Sequence, residues 1–244
     1  MKEIEYFYAA HSAFAYLGSA RFMAIAAASG RRIAHRPVDL RRVVAEAGAV
    51  PFGRRSKAHV AYYFDREIER WSEERNAPWI GRIPTHHTND ITLPNGMLIA
   101  GLRLGLDIDR LAHALLENHW PHDADLADRS TLAAIGRDAG FDPAPLLDLA
   151  LAPEVQATYR ANTEEAIHRS VFGSPTYFVD GDMFYGQDRL EMVERALARP
   201  YAGKWRGAEA PRRSRSDHLA RDVPTVRHEG ALPASTASCT SRLP

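Results

Sequence analysis

The chain has 244 residues, 45% of them apolar and 25% charged, proportions that fit a soluble globular protein and exclude a collagen, a coiled coil or disorder throughout. Its 31 basic and 31 acidic residues cancel, so net charge gives no reason to expect nucleic acid as a partner. The single cysteine, Cys239, excludes an internal disulfide, a cysteine-cluster metal site and dithiol chemistry on the chain's own sulfur. The opening MKEIEYFYAAHS lacks the apolar core of a secretory signal, and no stretch reaches the roughly 18 apolar residues of a membrane span. The expected compartment is the cytoplasm, with no membrane partner.

In chain order, the first element reads as a strand, because Ile4, Tyr6 and Tyr8 alternate with Glu3, Glu5 and Phe7. A helix is expected from Ala13 to Ser29, with Ser12 as N-cap and Gly30 as its stop. The segment RRIAHRPVDL, with Ile33, His35 and Pro37, reads as a second strand and completes a βαβ unit. Residues 53–170 are helical in pattern, as in SKAHVAYYFDREIERWSEERN and LIAGLRLGLDIDRLAHALLENHW, with apolar residues three or four apart. Pro78, Pro84, Pro94, Pro121, Pro143 and Pro153 are expected to mark connections. Thr176 to Val179 and Met183 to Tyr185 then read as a hairpin around Asp180-Gly181. A last helix follows, with Leu190, Val193 and Leu197 on one face and Asp188 and Glu191 spaced as a capping box.

The order βαβ, helical insert, ββα predicts an α/β protein, a thioredoxin-like fold interrupted by an all-helical insertion domain. The expected boundaries are 1–52 with 171–202 for the thioredoxin-like domain and 53–170 for the insertion. From Gly203 the chain has no Ile, Phe, Tyr or Met and cannot bury enough apolar surface to offset its ordering entropy, so 203–244 is expected to be a disordered basic tail. It holds eight basic and four acidic residues, leaving 23 against 27 in residues 1–202. The run RRSRS at 212–216 lacks interleaved aromatics and reads as a solvated cluster, although it could touch anions.

Chemistry is expected where the first strand gives way to the helix. There the Ser12 hydroxyl and the free N–H groups of the first turn share one space, a setting that favours negative charge. Thioredoxin-type redox proteins carry Cys-x-x-Cys at this place; here it is Ser12-Ala13-Phe14-Ala15. A hydroxyl cannot cycle through a disulfide, but it can donate to a thiolate brought by another molecule. Ser12 also reads as an ordinary N-cap. In FGSPTYFVDG, a cis bond between Ser174 and Pro175 would aim the Ser174 backbone at an extended ligand, whereas a trans proline would simply start an edge strand. In Tyr185-Gly186-Gln187-Asp188-Arg189, Asp188 could cap its helix or hold a ligand ammonium, and Arg189 could hold a carboxylate. His86 and His87 are adjacent rather than three or four apart, so no metal is expected. His11 and Ser12 are neighbours whose side chains tend to diverge at a strand end, and no nucleophile elbow or phosphate loop is present.

The stretches FYAAHSAFAYLGS and RANTEEAIHRSVFGSPTYFVDGDMFYGQDRLEMVERAL, with the helical insert between them, resemble the 2-hydroxychromene-2-carboxylate isomerases and the related kappa-class glutathione transferases, within the DsbA-like thioredoxin group. The resemblance covers about residues 3–200. It implies glutathione as cofactor: Ser12 holds its thiol as thiolate, the Ser174 backbone ahead of a cis Pro175 pairs with its cysteinyl part, and Tyr185, Gly186, Gln187 and Asp188 embrace its γ-glutamyl end. The family usually has Ser-Pro where this chain has Ser12-Ala13, valine where it has Ser174, and Gly-Asn where it has Gly48-Ala49.

The resemblance further implies an aromatic carboxylate substrate, with Arg55 or Lys57 meeting its carboxylate and His87 facing its ring. Arg54, Arg55 and Lys57 read equally as a solvated cluster. The implied reaction is isomerisation: the thiolate adds to an activated double bond, the ring opens, rotation follows and elimination restores the thiolate. A homodimer is a further implication. A kappa-like transferase that keeps glutathione on its product, and a non-catalytic thioredoxin-like binding module, are the alternatives.

Overall fold

The computed structural model describes residues 2–203 and Trp205. The arginine run at 212–216, Cys239 and nearly all of the expected tail lie outside them.

Strand β1 (Glu3–Tyr8) takes a central place in a four-stranded sheet of order β2-β1-β3-β4. β2 (Arg32–Pro37) runs parallel to it, and β3 (Thr176–Val179) and β4 (Asp182–Tyr185) form an antiparallel hairpin on its other side. Register sets Tyr6 opposite both His35 and Tyr177. Alternation along the strand then gathers Tyr6, Tyr8 and Tyr177 on one face, where Tyr6 stacks on Tyr8 at 4.1 Å and on Tyr177 at 5.4 Å, with Phe22 against both Tyr6 and Tyr177. The Tyr8 hydroxyl pairs with His35 Nδ1 (2.9 Å), and His35 Nε2 lies 2.8 Å from Asp109 Oδ1. On the opposite face Phe7 and Phe178 pack with Val38, Val43, Ala166 and Val171.

Helix α1 (Ala13–Ser29) lies between the sheet and a second helical layer. Over its first turns the buried residues Ala15, Tyr16, Leu17, Gly18 and Ser19 point in every direction, the pattern of a segment covered on all sides, while farther on Ala20, Ala24, Ala27 and Ala28 form an exposed stripe. A Cβ on Gly18 would fall 2.6 Å from Gln187 Cβ, so glycine sets how closely α1 approaches the turn after β4. The second strand ends at Pro37 and does not continue to Leu40 as RRIAHRPVDL suggests, because Asp39 turns the chain by accepting from Arg42 N (3.2 Å) and capping α2 (Leu40–Glu46).

The middle of the chain is helical: α3 (Lys57–Val60), a π-helical stretch (Ala61–Arg66), α4 (Glu67–Arg75), α5 (Thr92–Arg103), α6 (Asp109–His119), α7 (Arg129–Asp138), α8 (Pro143–Leu149) and α9 (Pro153–His168). Pro143 and Pro153 open α8 and α9, where a missing N–H costs nothing. Pro94 is not in a connection; it sits in the first turn of α5, tolerated for the same reason.

The last helix is α10 (Leu190–Ala198). Its expected capping box does not form. Gly186 starts a 3₁₀ turn over Gln187–Arg189, α10 has no side-chain cap, and Asp188 pairs with Arg189 instead. No helix among the described residues is long and apolar enough to cross a membrane.

Candidate active site at the N-terminus of α1

Three loops meet at Ser12. Extended at φ −70°, ψ 124°, it accepts from Ala15 N (3.3 Å) and so caps α1. Its hydroxyl donates across to the Ser174 carbonyl (3.3 Å), while Ser174 Oγ accepts from Ala9 N (3.3 Å). The Ser174–Pro175 bond is cis. The Pro175 carbonyl accepts from Gly186 N (2.9 Å), which ties the end of β4 to the same cluster. Gly186 has φ 96°, a conformation open essentially to glycine alone, and a Cβ there would collide with the Asp188 carboxylate. Asn95 of α5, wholly buried, anchors the arrangement: Oδ1 accepts from Ala10 N (3.0 Å), and Nδ2 donates to the Tyr159 hydroxyl (3.1 Å).

Two cavities adjoin here, sharing Phe14, Tyr63, Ser174 and Tyr185. The larger, about 660 Å³, has Ser12 in its wall, with Val44, Phe52, Phe64 and Phe172 as apolar lining and Arg41, Arg55 and His87 as polar groups. The smaller, about 160 Å³, is lined by Gly186, Gln187, Asp188 and Arg189 on one side and by Glu67 and Trp71 of α4 on the other. Gln187 is buried. Its Oε1 accepts from Arg75 Nε (3.0 Å), but its Nε2 has no partner among the described residues. A buried unpaired amide donor costs about 1–3 kcal/mol, and a ligand acceptor in the small cavity would relieve it.

Of the residues singled out from sequence, Ser12, Ser174, Tyr185, Arg55 and His87 line the larger cavity, and Ser174, Tyr185, Gly186, Gln187 and Asp188 line the smaller. Pro175 lines neither cavity and joins the cluster through its carbonyl, which holds Gly186 N. Lys57 opens α3 on the surface and is not part of either lining. The Arg55 guanidinium lies over Phe52 (4.3 Å) and Phe64 (5.0 Å), and burial pulls its pKa down. Burial, with Tyr63 alongside, pushes the Tyr185 hydroxyl up. Ala49 presents a methyl to the larger cavity where the resemblance leads to asparagine.

Sequence reading missed Phe14, Tyr63, Phe64 and Arg41, as well as Asn95. Tyr63 and Phe64 reach the cavity from the π-helical stretch, whose extra residue per turn re-aims side chains and which recurs at functional sites. The run Tyr62-Tyr63-Phe64 was the available signal, since three consecutive aromatics fit no single face of an α-helix.

Residues 3–198 match the DSBA-like thioredoxin domain model. The chain belongs to that family. Among DsbA-like relatives it is similar to the 2-hydroxychromene-2-carboxylate isomerase of Sphingobium xenophagum, 26% identical over 197 residues that make up 80% of this chain and 98% of that one. It is also similar to glutathione S-transferase kappa 2 of Caenorhabditis elegans, 29% identical over 138 residues, 51% of this chain and 61% of that one. A solved 2-hydroxychromene-2-carboxylate isomerase structure superposes with a TM-score of 0.67 at 26% identity, covering 81% of this chain and 95% of the other.

In this DsbA-like frame the N-terminus of α1 offers a hydroxyl, so the arrangement can bind and polarise a thiol but cannot form a disulfide itself. Among the described residues no group of three or more His, Cys, Asp or Glu is disposed to hold a metal ion.

Proposed function

We propose that this DsbA-like protein is a glutathione-dependent isomerase of 2-hydroxychromene-2-carboxylate-type aromatic acids, yielding the trans-o-hydroxybenzylidenepyruvate type. The observation that carries the reading is Ser12, a hydroxyl on a helix N-terminus in the wall of a large apolar cavity that adjoins a small polar one. Similarity to isomerases of that name over four-fifths of the chain supports the substrate class.

The residues fit glutathione. The small cavity matches a γ-glutamyl end: Asp188 and Glu67 suit its ammonium, Arg189 its carboxylate, and the unpaired Gln187 Nε2 an oxygen. When bound, glutathione supplies a thiolate that adds reversibly to the substrate's activated double bond, allows rotation about it and is then eliminated. Ser12 turns its hydroxyl from the Ser174 carbonyl to that sulfur, and the free N–H groups of the first turn of α1 favour the anionic form. Ser174, released from this hydrogen bond, offers its backbone to the tripeptide as a neighbouring strand would. Arg55, joined by Arg41 rather than by Lys57, meets the substrate carboxylate. Phe14, Phe52 and Phe64 enclose the ring and exclude water, which strengthens each polar contact inside. A reduced thiol cofactor accords with the cytoplasm, where thiols are kept reduced.

The test is conversion of 2-hydroxychromene-2-carboxylate with glutathione, without it, and with S-methylglutathione. Acceleration by glutathione alone, with glutathione recovered unchanged, is expected. No acceleration overturns the reading, and glutathione retained on the product identifies a transferase.

A further inference from the structure

One wall of the larger cavity has no part in holding a thiol. The rings of His11 and His87 lie 4.8 Å apart, and those of His87 and His119 stack at 5.3 Å. His119, on α6, is buried, and its Nδ1 lies 2.9 Å from the Ala124 carbonyl oxygen. Its Nε2 lies 3.0 Å from His87 Nδ1. A carbonyl oxygen only accepts, so His119 Nδ1 carries a hydrogen. Neutral His119 then has its lone pair on Nε2, and the His87 Nδ1 facing it must be the donor. His87 Nε2 is left with a free lone pair on a ring that lines the cavity. The carbonyl of Ala124 thus fixes the tautomer of two histidines in series, as a carboxylate does for a single catalytic histidine.

The isomerase reading gives this lone pair a task, because the cyclic substrate is a hemiketal whose opening moves a proton between two oxygens. We propose that His87 is the general base and acid for ring opening and that His119 is its positioning residue. His87 Nε2 takes the proton of the C2 hydroxyl, and the O–H electron pair becomes the second bond of a C2 carbonyl. The C2–O bond of the ring breaks with its electrons passing to the phenolic oxygen, which takes the proton back from His87 Nε2. Nothing is oxidised and no water is consumed. The double bond becomes conjugated to a carbonyl in this step, so opening precedes attack at that bond, the reverse of the order that the resemblance implies. This inference rests on the proposed function.

The charged and titratable surroundings favour a neutral ring before substrate arrives. Arg41 approaches His87 from α2, His11 from the loop after β1 and His119 from α6; His86 precedes His87 in the chain and lies 3.5 Å from Asp125, and Asp123 lies in the same loop as Asp125. A substrate carboxylate drawn in by Arg41 and Arg55 raises the proton affinity of His87 when it is needed.

Three measurements test the pair. Nitrogen NMR of the full chain should show His87 protonated at Nδ1 and unprotonated at Nε2; the opposite tautomer overturns the relay whatever the activity. His87→Gln should slow isomerisation of the cyclic substrate by roughly 10²-fold, the lower end for lost general acid–base catalysis. The same variant should lose at least about 30-fold less on cis-benzylidenepyruvate lacking the ortho hydroxyl, which needs thiolate addition and rotation but no ring opening. Equal losses on both substrates, or none on the cyclic one, overturn the role of His87. His119→Phe should lower kcat more than it changes KM and shift the His87 tautomer, whereas His119→Gln, which keeps an acceptor, should recover part of both; two variants alike in rate and tautomer overturn positioning by His119. A wild-type protein with the expected tautomer that isomerises neither substrate refutes the proposed function, and ring opening falls with it.

Discussion

Lowering the pH from 7 to 5 loads protons onto the unfolded chain that the native histidine wall refuses. Burial, aided by His119 and Arg41, holds the His87 pKa down to about 3 against 6.5 for free imidazole. Burial pushes His11 and His119 in the same direction. A base whose folded pKa is depressed stays neutral in the native state while its unfolded counterpart charges, so stability falls as pH drops below 6.5 and the fall ends only near the folded value. For His87 both pH values lie above the folded pKa. The loss is then set by protonation of the unfolded imidazole alone, about 2 kcal/mol between pH 7 and pH 5. His11 and His119 add to it. The carboxylates held low by arginines, such as Asp180 beside Arg31 and Glu191 beside Arg75, lose their contribution only below their unfolded range near pH 4, so this window isolates the histidines. Urea unfolding followed by tryptophan fluorescence at the two pH values measures the difference. His87→Asn should shrink the pH-dependent loss by about 2 kcal/mol; a variant that loses as much as the wild type between pH 7 and pH 5 refutes the assignment of a depressed His87.

Other substitutions separate packing from chemistry. Ser12→Ala should cost about 1 kcal/mol through the lost cap and slow glutathione-dependent isomerisation by roughly 10- to 100-fold, the worth of a hydrogen bond to a charged group; Ser12→Thr should keep most of both, read by urea midpoints and initial rates. Ultraviolet titration of bound glutathione should show its thiol pKa rising in Ser12→Ala. Tyr6→Phe removes a buried hydroxyl with no partner among the described residues and should leave stability unchanged or raise it by up to about 1 kcal/mol, whereas Tyr8→Phe strands His35 and should cost about 1–3 kcal/mol; denaturant midpoints decide both. Gly186→Ala forces a side chain into a glycine conformation and onto Asp188, at a cost of about 1–3 kcal/mol, and calorimetry should show weakened glutathione binding.

The two halves of the site differ in how much of them can be read along the chain. The half around Ser12, which the proposed function gives to the thiol, is encoded locally. Strand alternation in β1, the capping serine after it, a proline ahead of β3 and the Asp180-Gly181 hairpin each announce themselves within about ten residues, and together they place Ser12 beside Ser174. Even there Asp188 and Glu191 misled, because the 3₁₀ turn started by Gly186 uses the residues that a capping box needs.

The half that the proposed function gives to the substrate depends on distance in sequence and on irregular backbone. Asn95 meets Ala10 from 85 residues away, and His119 meets His87 across 32; periodicity reads Asn95 as one more buried position and His119 as the end of a helix. Arg41 comes from a helix of seven residues with three buried, too short for a period to emerge. Tyr63 and Phe64 face inward because π-helical geometry breaks the very period by which a helix is recognised. Ala49 gives the cavity a methyl where the resemblance leads to asparagine, and Arg41 and Arg55 are the guanidinium groups in its lining able to orient an acid there. On the proposed function, the part that binds the thiol therefore rests on short-range signals, while the part that would choose the ring rests on side chains from residues 40–90 and on His119, which α6 holds behind His87.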